Sequence, residues 1–282
     1  MRDEVIHKPY RVVIVTLDAH AAGPALRVSS RLAPDFPGLE VQVIAAAEWS
    51  ECPDALARAK EAVAQGDIII ANLLFLEEHV KAILPAMQAR RDSCDAMLGV
   101  IADGEIVKLT RMGDLDMSKP ASGAMALMKK LRGSSKASAD SGAKQMKTLR
   151  RLPKILKLIP GKAQDMRAWF LCMQYWLGGS DDNVEQMIRF LIGRYADRAD
   201  WHGAKADLPI EYPDVGIYQL EGRQRIVDSV EAITTQAGET SGTVGLLLMR
   251  SYALAGNTRH YDAVIRAFEA RGLRVIPAFA AG

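Results

Sequence analysis

Three groups of residues have types and spacings that could do chemistry. The first is Asp18-Ala19-His20-Ala21-Ala22-Gly23, a D-x-H-x-x-G pattern. A carboxylate bonded to one nitrogen of the imidazole fixes its tautomer and leaves the other nitrogen free for a metal. The second is Glu77-Glu78-His79, where hard carboxylates would suit Mg²⁺. The third is the stretch Lys144–Lys162, which contains Lys144, Lys147, Arg150, Arg151, Lys154 and Lys157 and no acidic residue. Leu149, Leu152, Ile155, Leu156 and Ile159 give it an apolar stripe. Such a segment can dock on a neighbouring domain, on an acidic partner or on an anionic membrane surface, with Lys147, Arg150, Arg151 and Lys154 as the contacts.

These groups need elements to hold them. Arg11–Leu17, Leu39–Ile44, Asp67–Ala71 and Met97–Ile101 are nearly continuous apolar runs, as expected of strands buried on both faces. Helical patterns lie between them, near Pro24–Leu32, Pro53–Ala64 and Glu77–Arg91. The alternation predicts an open parallel sheet covered by helices. Right-handed crossovers bring all the strand C-termini to one edge, the usual ligand edge of such folds, which then carries Asp18, His20, Asn72 and Asp103. Glu77 and Glu78 open a helix, where acids complement the dipole, and adjacent carboxylates on a helix do not point the same way.

Downstream, a helical stretch at Ala121–Leu131 precedes the small polar run Gly133–Lys144, read as a linker. Pro153 starts a short helical turn that ends at Pro160-Gly161. Met166, Trp169, Phe170, Met173, Trp176 and Leu177 then share one helical face, and Val184, Met187, Ile188, Leu191, Ile192 and Tyr195 another. Gly178-Gly179-Ser180 turns the chain between them, with Ser180 or Asp182 as the cap. Trp169 and Trp176 lie on the same stripe as Met166 and Met173, which assigns them to core rather than to a stacking surface. Thr243–Met249 and Leu273–Phe279 read as strands around a helix at His260–Ala270. Two strands and one helix cannot bury a sheet on both faces, so a domain cut short is expected here. The predicted organisation is an open α/β domain over 1–142, a mainly helical connecting region over 143–240, and the first β-α-β unit of a second, truncated α/β domain over 241–282.

Composition narrows the function classes. With 36 basic and 34 acidic residues the net charge is +2, which gives no general attraction for nucleic acid. Three scattered cysteines, Cys52, Cys94 and Cys172, form neither a disulfide framework nor a zinc pattern and fit a reducing cytoplasm. No apolar run is long enough for a transmembrane helix, and no G-x-x-x-x-G-K-[ST] loop for nucleotide phosphates is present.

Several segments resemble a known family. Val12–Gly23 (VVIVTLDAHAAG), Asp67–Leu84, Leu152–Met187 with its WLGGS motif, and Val244–Phe279 are similar to the beginning of the large, porphyrin-binding H subunits of magnesium chelatase, which are related to the cobaltochelatase large subunit. The resemblance runs along essentially the whole chain. It implies an enzyme, a ligase forming nitrogen–metal bonds, that inserts Mg²⁺ into protoporphyrin IX in (bacterio)chlorophyll biosynthesis. It also implies two AAA+-type partner subunits that hydrolyse ATP, to which the basic run adds a peripheral membrane surface as a candidate partner, while the net charge gives no reason to expect nucleic acid. The residues credited with metal insertion in that family lie outside the matched portion, so no catalytic residue is carried over. Porphyrin or metal contacts would fall to Asp18, His20, Glu77 and His79. The alternatives are a cobaltochelatase-type subunit acting on a corrinoid and a non-catalytic docking module for the ATPases. The D-x-H-x-x-G element also resembles the axial-imidazole motif of cobalamin-binding domains. The Ser-x-Leu-like and Gly-Gly elements of those domains are replaced here by Asn72-Leu73-Leu74 and Ala102-Asp103-Gly104, which favours an ordinary crevice.

Overall fold

Alternating side chains of short Val- and Ile-rich strands can be removed from water only if both faces of their sheet are covered. The computed structural model, which describes residues 8–17, 22–119, 152–222, 225–233 and 240–280, shows how this is achieved. The first unit runs β1 (Tyr10–Thr16), α1 (Ala22–Leu32), β2 (Leu39–Ala45), α2 (Pro53–Gln65), β3 (Ile68–Asn72), α3 (Glu77–Arg90), β4 (Ala96–Val100), α4 (Gly104–Lys108), β5 (Arg111–Met112) and β6 (Leu115–Asp116). Its sheet has the order β2-β1-β3-β4-β5-β6, with the first four strands parallel and the last two antiparallel. The expected α/β class and the four parallel strands are present.

Each face has its own cover. Val13, Val15, Ile69, Ala71 and Met97 meet α2 and α3 through Val63, Val80, Ile83 and Met87. Val12, Ile14, Ile68, Ile70 and Leu98 meet α1 and a helical hairpin, α5 (Ala163–Gly178) and α6 (Asp181–Tyr195). Trp169, Phe170 and Tyr175 of α5 and Met187, Ile188 and Leu191 of α6 are buried in that core. The tryptophan stripe is therefore core, as its spacing indicates. Gly179 reverses the chain with a φ of 56°, and Ser180 caps α6 by accepting from the Asn183 amide at 3.3 Å.

A second sheet lies downstream of the hairpin. It contains β7 (Val215–Tyr218), β8 (Ile226–Val227), β9 (Gly242–Met249) and β10 (Leu273–Ala280), with α7 (Arg250–Leu254) and α8 (Arg259–Glu269) between the last two. Its order is β8-β7-β10-β9, and β9 and β10 pair in parallel as expected. The two extra strands come from the region expected to be a helical connection over 143–240, and α5 and α6 of that same region share the core of the first sheet. The reason is burial: a sheet with one bare face recruits the nearest amphipathic hairpin, and a two-stranded sheet recruits neighbouring strands. The linker Gly133–Lys144 and the helix Ala121–Leu131 lie outside the described residues.

Arg27 joins the parts. Its guanidinium grips Asp181 of α6 at 2.6 and 2.7 Å and donates to the Ala255 carbonyl beyond α7 at 2.9 Å. Arg250 reinforces the joint by donating to the carbonyls of Leu177, Tyr212 and Pro213. Among the described residues no helix is long and apolar enough to cross a membrane.

Candidate functional site

The strand order reverses between β1 and β3, so the crossovers leave the sheet in opposite directions there, the position at which open α/β sheets usually take ligands. Thr16 closes β1 and Asn72 closes β3, one step beyond the register pair Val15↔Ala71. Strand alternation places both on the face of Val12, Ile14, Ile68 and Ile70. Both are fully buried, and neither the Thr16 hydroxyl nor either end of the Asn72 amide has a hydrogen-bond partner among the described residues. Buried polar atoms are nearly always satisfied, so these unpaired donors and acceptors at the switch point are the candidate ligand contacts of this sheet.

The backbone at this rim is strained as well. Leu73 and Ile101, which follow β3 and β4, have φ of 52° and 49°, a region that a β-branched residue such as Ile rarely adopts. The Leu73 amide donates to the Ile101 carbonyl at 2.8 Å, and the Asp103 amide to the Leu74 carbonyl at 2.8 Å. Asp103, expected at this edge, turns its carboxylate to the Glu105 amide at 2.8 Å and caps α4. Strain held by such bonds is characteristic of functional rims.

The other expected residues separate. Asp18 and His20 lie outside the described residues, as do Lys147, Arg150 and Arg151. Glu77 is exposed on α3 and ion-paired with Lys81 one turn on, so it serves the helix. His79 turns inward: it is buried, its ring meets Trp49 edge to face with centroids 5.6 Å apart, and Nδ1 has no partner among the described residues. Glu77 and His79 therefore do not converge on one ion, because positions two apart on a helix point about 200° apart. Lys154 is exposed. Among the described residues no group of three or more His, Cys, Asp or Glu side chains could hold a metal ion.

Sequence reasoning passes over Thr16, although its place as the register neighbour of Asn72 is a usable signal. It also misses a polar cluster in the second unit. There Tyr218 donates to Asp262 at 2.6 Å and contacts the Thr258 hydroxyl at 2.9 Å, while Arg225 donates to Tyr218 at 2.6 Å. Burial, aided by the bond to Asp262, pushes the Tyr218 phenol up to about 12. These side chains satisfy one another, whereas the rim at Thr16 and Asn72 is unsatisfied. A hydroxyl and a carboxamide offer donors and acceptors without an acid, a base or a charge, which suits holding a polar ligand rather than transferring its protons.

Known proteins are similar to this chain along nearly all of it. Residues 11–170 match the family described as a domain of unknown function (DUF3479), and residues 173–282 the family described as CobN/Magnesium Chelatase. The magnesium-chelatase H subunit of Cereibacter sphaeroides is 60% identical over 97% of the chain and 23% of its own length. Its namesake from Rhodobacter capsulatus is 59% identical over 98% of the chain and 23% of its own length. A solved structure, the catalytic subunit of cobaltochelatase from Mycobacterium tuberculosis, aligns over 97% of this chain and 16% of its own at 16% identity, with a TM-score of 0.46. The chain thus spans about a quarter of the length of the curated relatives it matches. With the first family covering more than half of the chain, the chain belongs to the DUF3479 family, and along nearly its whole length it is similar to part of the magnesium-chelatase H subunits.

Proposed function

We propose that the chain is the part of a magnesium-chelatase large subunit that helps to bind or gate the tetrapyrrole, while metal insertion takes place elsewhere in the longer protein. In this reading the complete enzyme inserts Mg²⁺ into protoporphyrin IX for (bacterio)chlorophyll synthesis in the cytoplasm, and two AAA+-type partners hydrolyse the ATP. The observation that carries it is the 60% identity to a magnesium-chelatase large subunit sustained over nearly the whole chain. The rim supports a binding role for this portion, because Thr16 and Asn72 are buried with unused hydrogen-bonding capacity at the edge where open α/β sheets take ligands. Asp18 and His20 follow Thr16 by two and four residues, which makes them candidates for the same ligand.

The test is an absorbance titration of the chain with protoporphyrin IX and, separately, with a corrinoid. Protoporphyrin should shift its Soret band on binding. Asn72→Leu should weaken that binding at least about tenfold, the value of one good hydrogen bond to a buried group. His20→Ala should weaken it as well. A preference for the corrinoid would move the chain to a cobaltochelatase role, and a lack of binding to either would leave it a docking module for the ATPase partners.

A further inference from the structure

The basic run of the sequence holds seven cations and no acid between Lys144 and Lys162. Its described part, residues 152–162, forms a helical turn at 152–156 and a bend ending at Gly161, whose φ is 74°. Leu152 and Leu156 point down into the core beside α5. Ile155, Leu158 and Ile159 point out, and Leu158, at 85% exposure, is the most exposed large apolar side chain among the described residues. Lys154, Lys157 and Lys162 are exposed around them. Asp165, the next acid along the chain, is buried and paired with Arg194 at 2.7 Å, so it does not neutralise these lysines.

The protrusion is held in shape. The Gln164 carboxamide donates to the Leu156 carbonyl at 2.8 Å and also to that of Ile159, and Arg167 donates to the Pro153 carbonyl at 3.1 Å. An exposed leucine at the apex of a braced turn gains nothing for the fold. Ringed by cations, it is complementary to a surface that is anionic outside and apolar a few ångströms below. An acidic protein partner would account for the lysines and leave the convex apolar tip unexplained.

We propose that residues 152–162 are a membrane-surface anchor, in which Leu158, with Ile155 and Ile159, enters the headgroup–acyl boundary of an anionic bilayer while Lys154, Lys157 and Lys162 meet lipid phosphates. Because the braced turn pre-sets its shape, binding avoids most of the cost of ordering a loop. The inference stands on this surface alone and does not depend on the chelatase reading.

Flotation of the full chain with vesicles tests it. The chain should float with vesicles of equal parts phosphatidylcholine and phosphatidylglycerol and remain free with phosphatidylcholine alone. Each Lys→Gln change at positions 154, 157 and 162 should lower partitioning about fivefold, and the three together roughly a hundredfold. Leu158→Asp should lower it by about tenfold or more, as loss of a buried leucine predicts. Leu158→Trp should add an emission component that shifts to the blue with anionic vesicles and stays unchanged with inorganic phosphate. All four positions are exposed, so thermal unfolding of the variants should match the parent. Absence of flotation with anionic vesicles overturns the proposal. So does Leu158→Asp floating like the parent with no blue shift from Leu158→Trp, which would reduce the run to a charged face suited to an acidic protein.

Discussion

The indole Nε1 of Trp169 donates to the backbone carbonyl of Gly99 at 3.0 Å, so α5 is fastened near the C-terminal end of β4 at a residue without a side chain. Both partners are buried, and loss of the donor leaves a carbonyl poorly paired in the core. Trp169→Phe should therefore cost about 1–3 kcal/mol in urea unfolding. Gly99→Ala should cost about 3 kcal/mol, because its Cβ would stand 2.6 Å from the Ile106 carbonyl oxygen, a backbone atom that cannot step aside. Wild-type stability in either variant would contradict this account of the joint.

Asp165 holds a second junction. It accepts from the Asp114 amide at 2.9 Å, from Arg194 at 2.7 Å and from the Tyr195 hydroxyl at 2.8 Å, joining the β5–β6 turn to both helices of the hairpin. Asp165→Ala orphans three donors and should destabilise the chain by about 2–4 kcal/mol, whereas Arg194→Ala, whose side chain is 40% exposed, should cost about 1 kcal/mol. Equal losses in a thermal-melt comparison would mean that the carboxylate has no special place.

Thr16→Val tests whether the unpaired rim serves stability or binding. A buried hydroxyl without a partner is a burden on the fold, so its removal should leave the melting temperature unchanged or raise it, by up to about 1 kcal/mol of stability. Porphyrin affinity should fall at the same time. A marked drop in melting temperature would show that Thr16 is satisfied within the fold.

Alkaline pH should loosen the second unit. The Tyr218 phenol titrates near 12 in the folded chain, held up by burial and by its bond to Asp262, against an ordinary value near 10. A raised folded value means that its stabilising contribution is complete below about pH 10 and is lost as pH climbs through about 12, because the unfolded chain releases the proton first. Tyr218→Phe should flatten this part of the stability profile, followed by circular dichroism between those limits. An unchanged slope would reassign the effect to other tyrosines.

Legibility followed the strength of the repeating pattern. β1 to β4 announce themselves as apolar runs, and α5 and α6 as stripes led by Trp169 and Met187, since each buries enough side chains for its period to show. β5 and β6 are two residues each and β8 is two, too short for any period, although Gly113-Asp114 between Met112 and Leu115 is a turn signal. β7 is visible as VGIY only once β10 is known to lie beside it. At the site, Asn72 and Asp103 fall on the expected edge, but periodicity carries no information on side-chain pairing. Hence the packing of His79 on Trp49 is not legible in the sequence, and Thr16 is signalled only by its place beside Asn72 in the strand register.

The face of the first sheet formed by Val12, Ile14, Ile68, Ile70 and Leu98 is covered in large part by α5 and α6, which begin more than sixty residues after β4 ends. On a ribosome adding roughly 5–20 residues per second, that face emerges several seconds before its cover does. A nascent chain stopped just after residue 119 would therefore present an apolar plane, while one extended past residue 195 would have hidden it. Chaperone capture should be concentrated in that interval of synthesis, and its end should coincide with the arrival of Trp169 over Gly99.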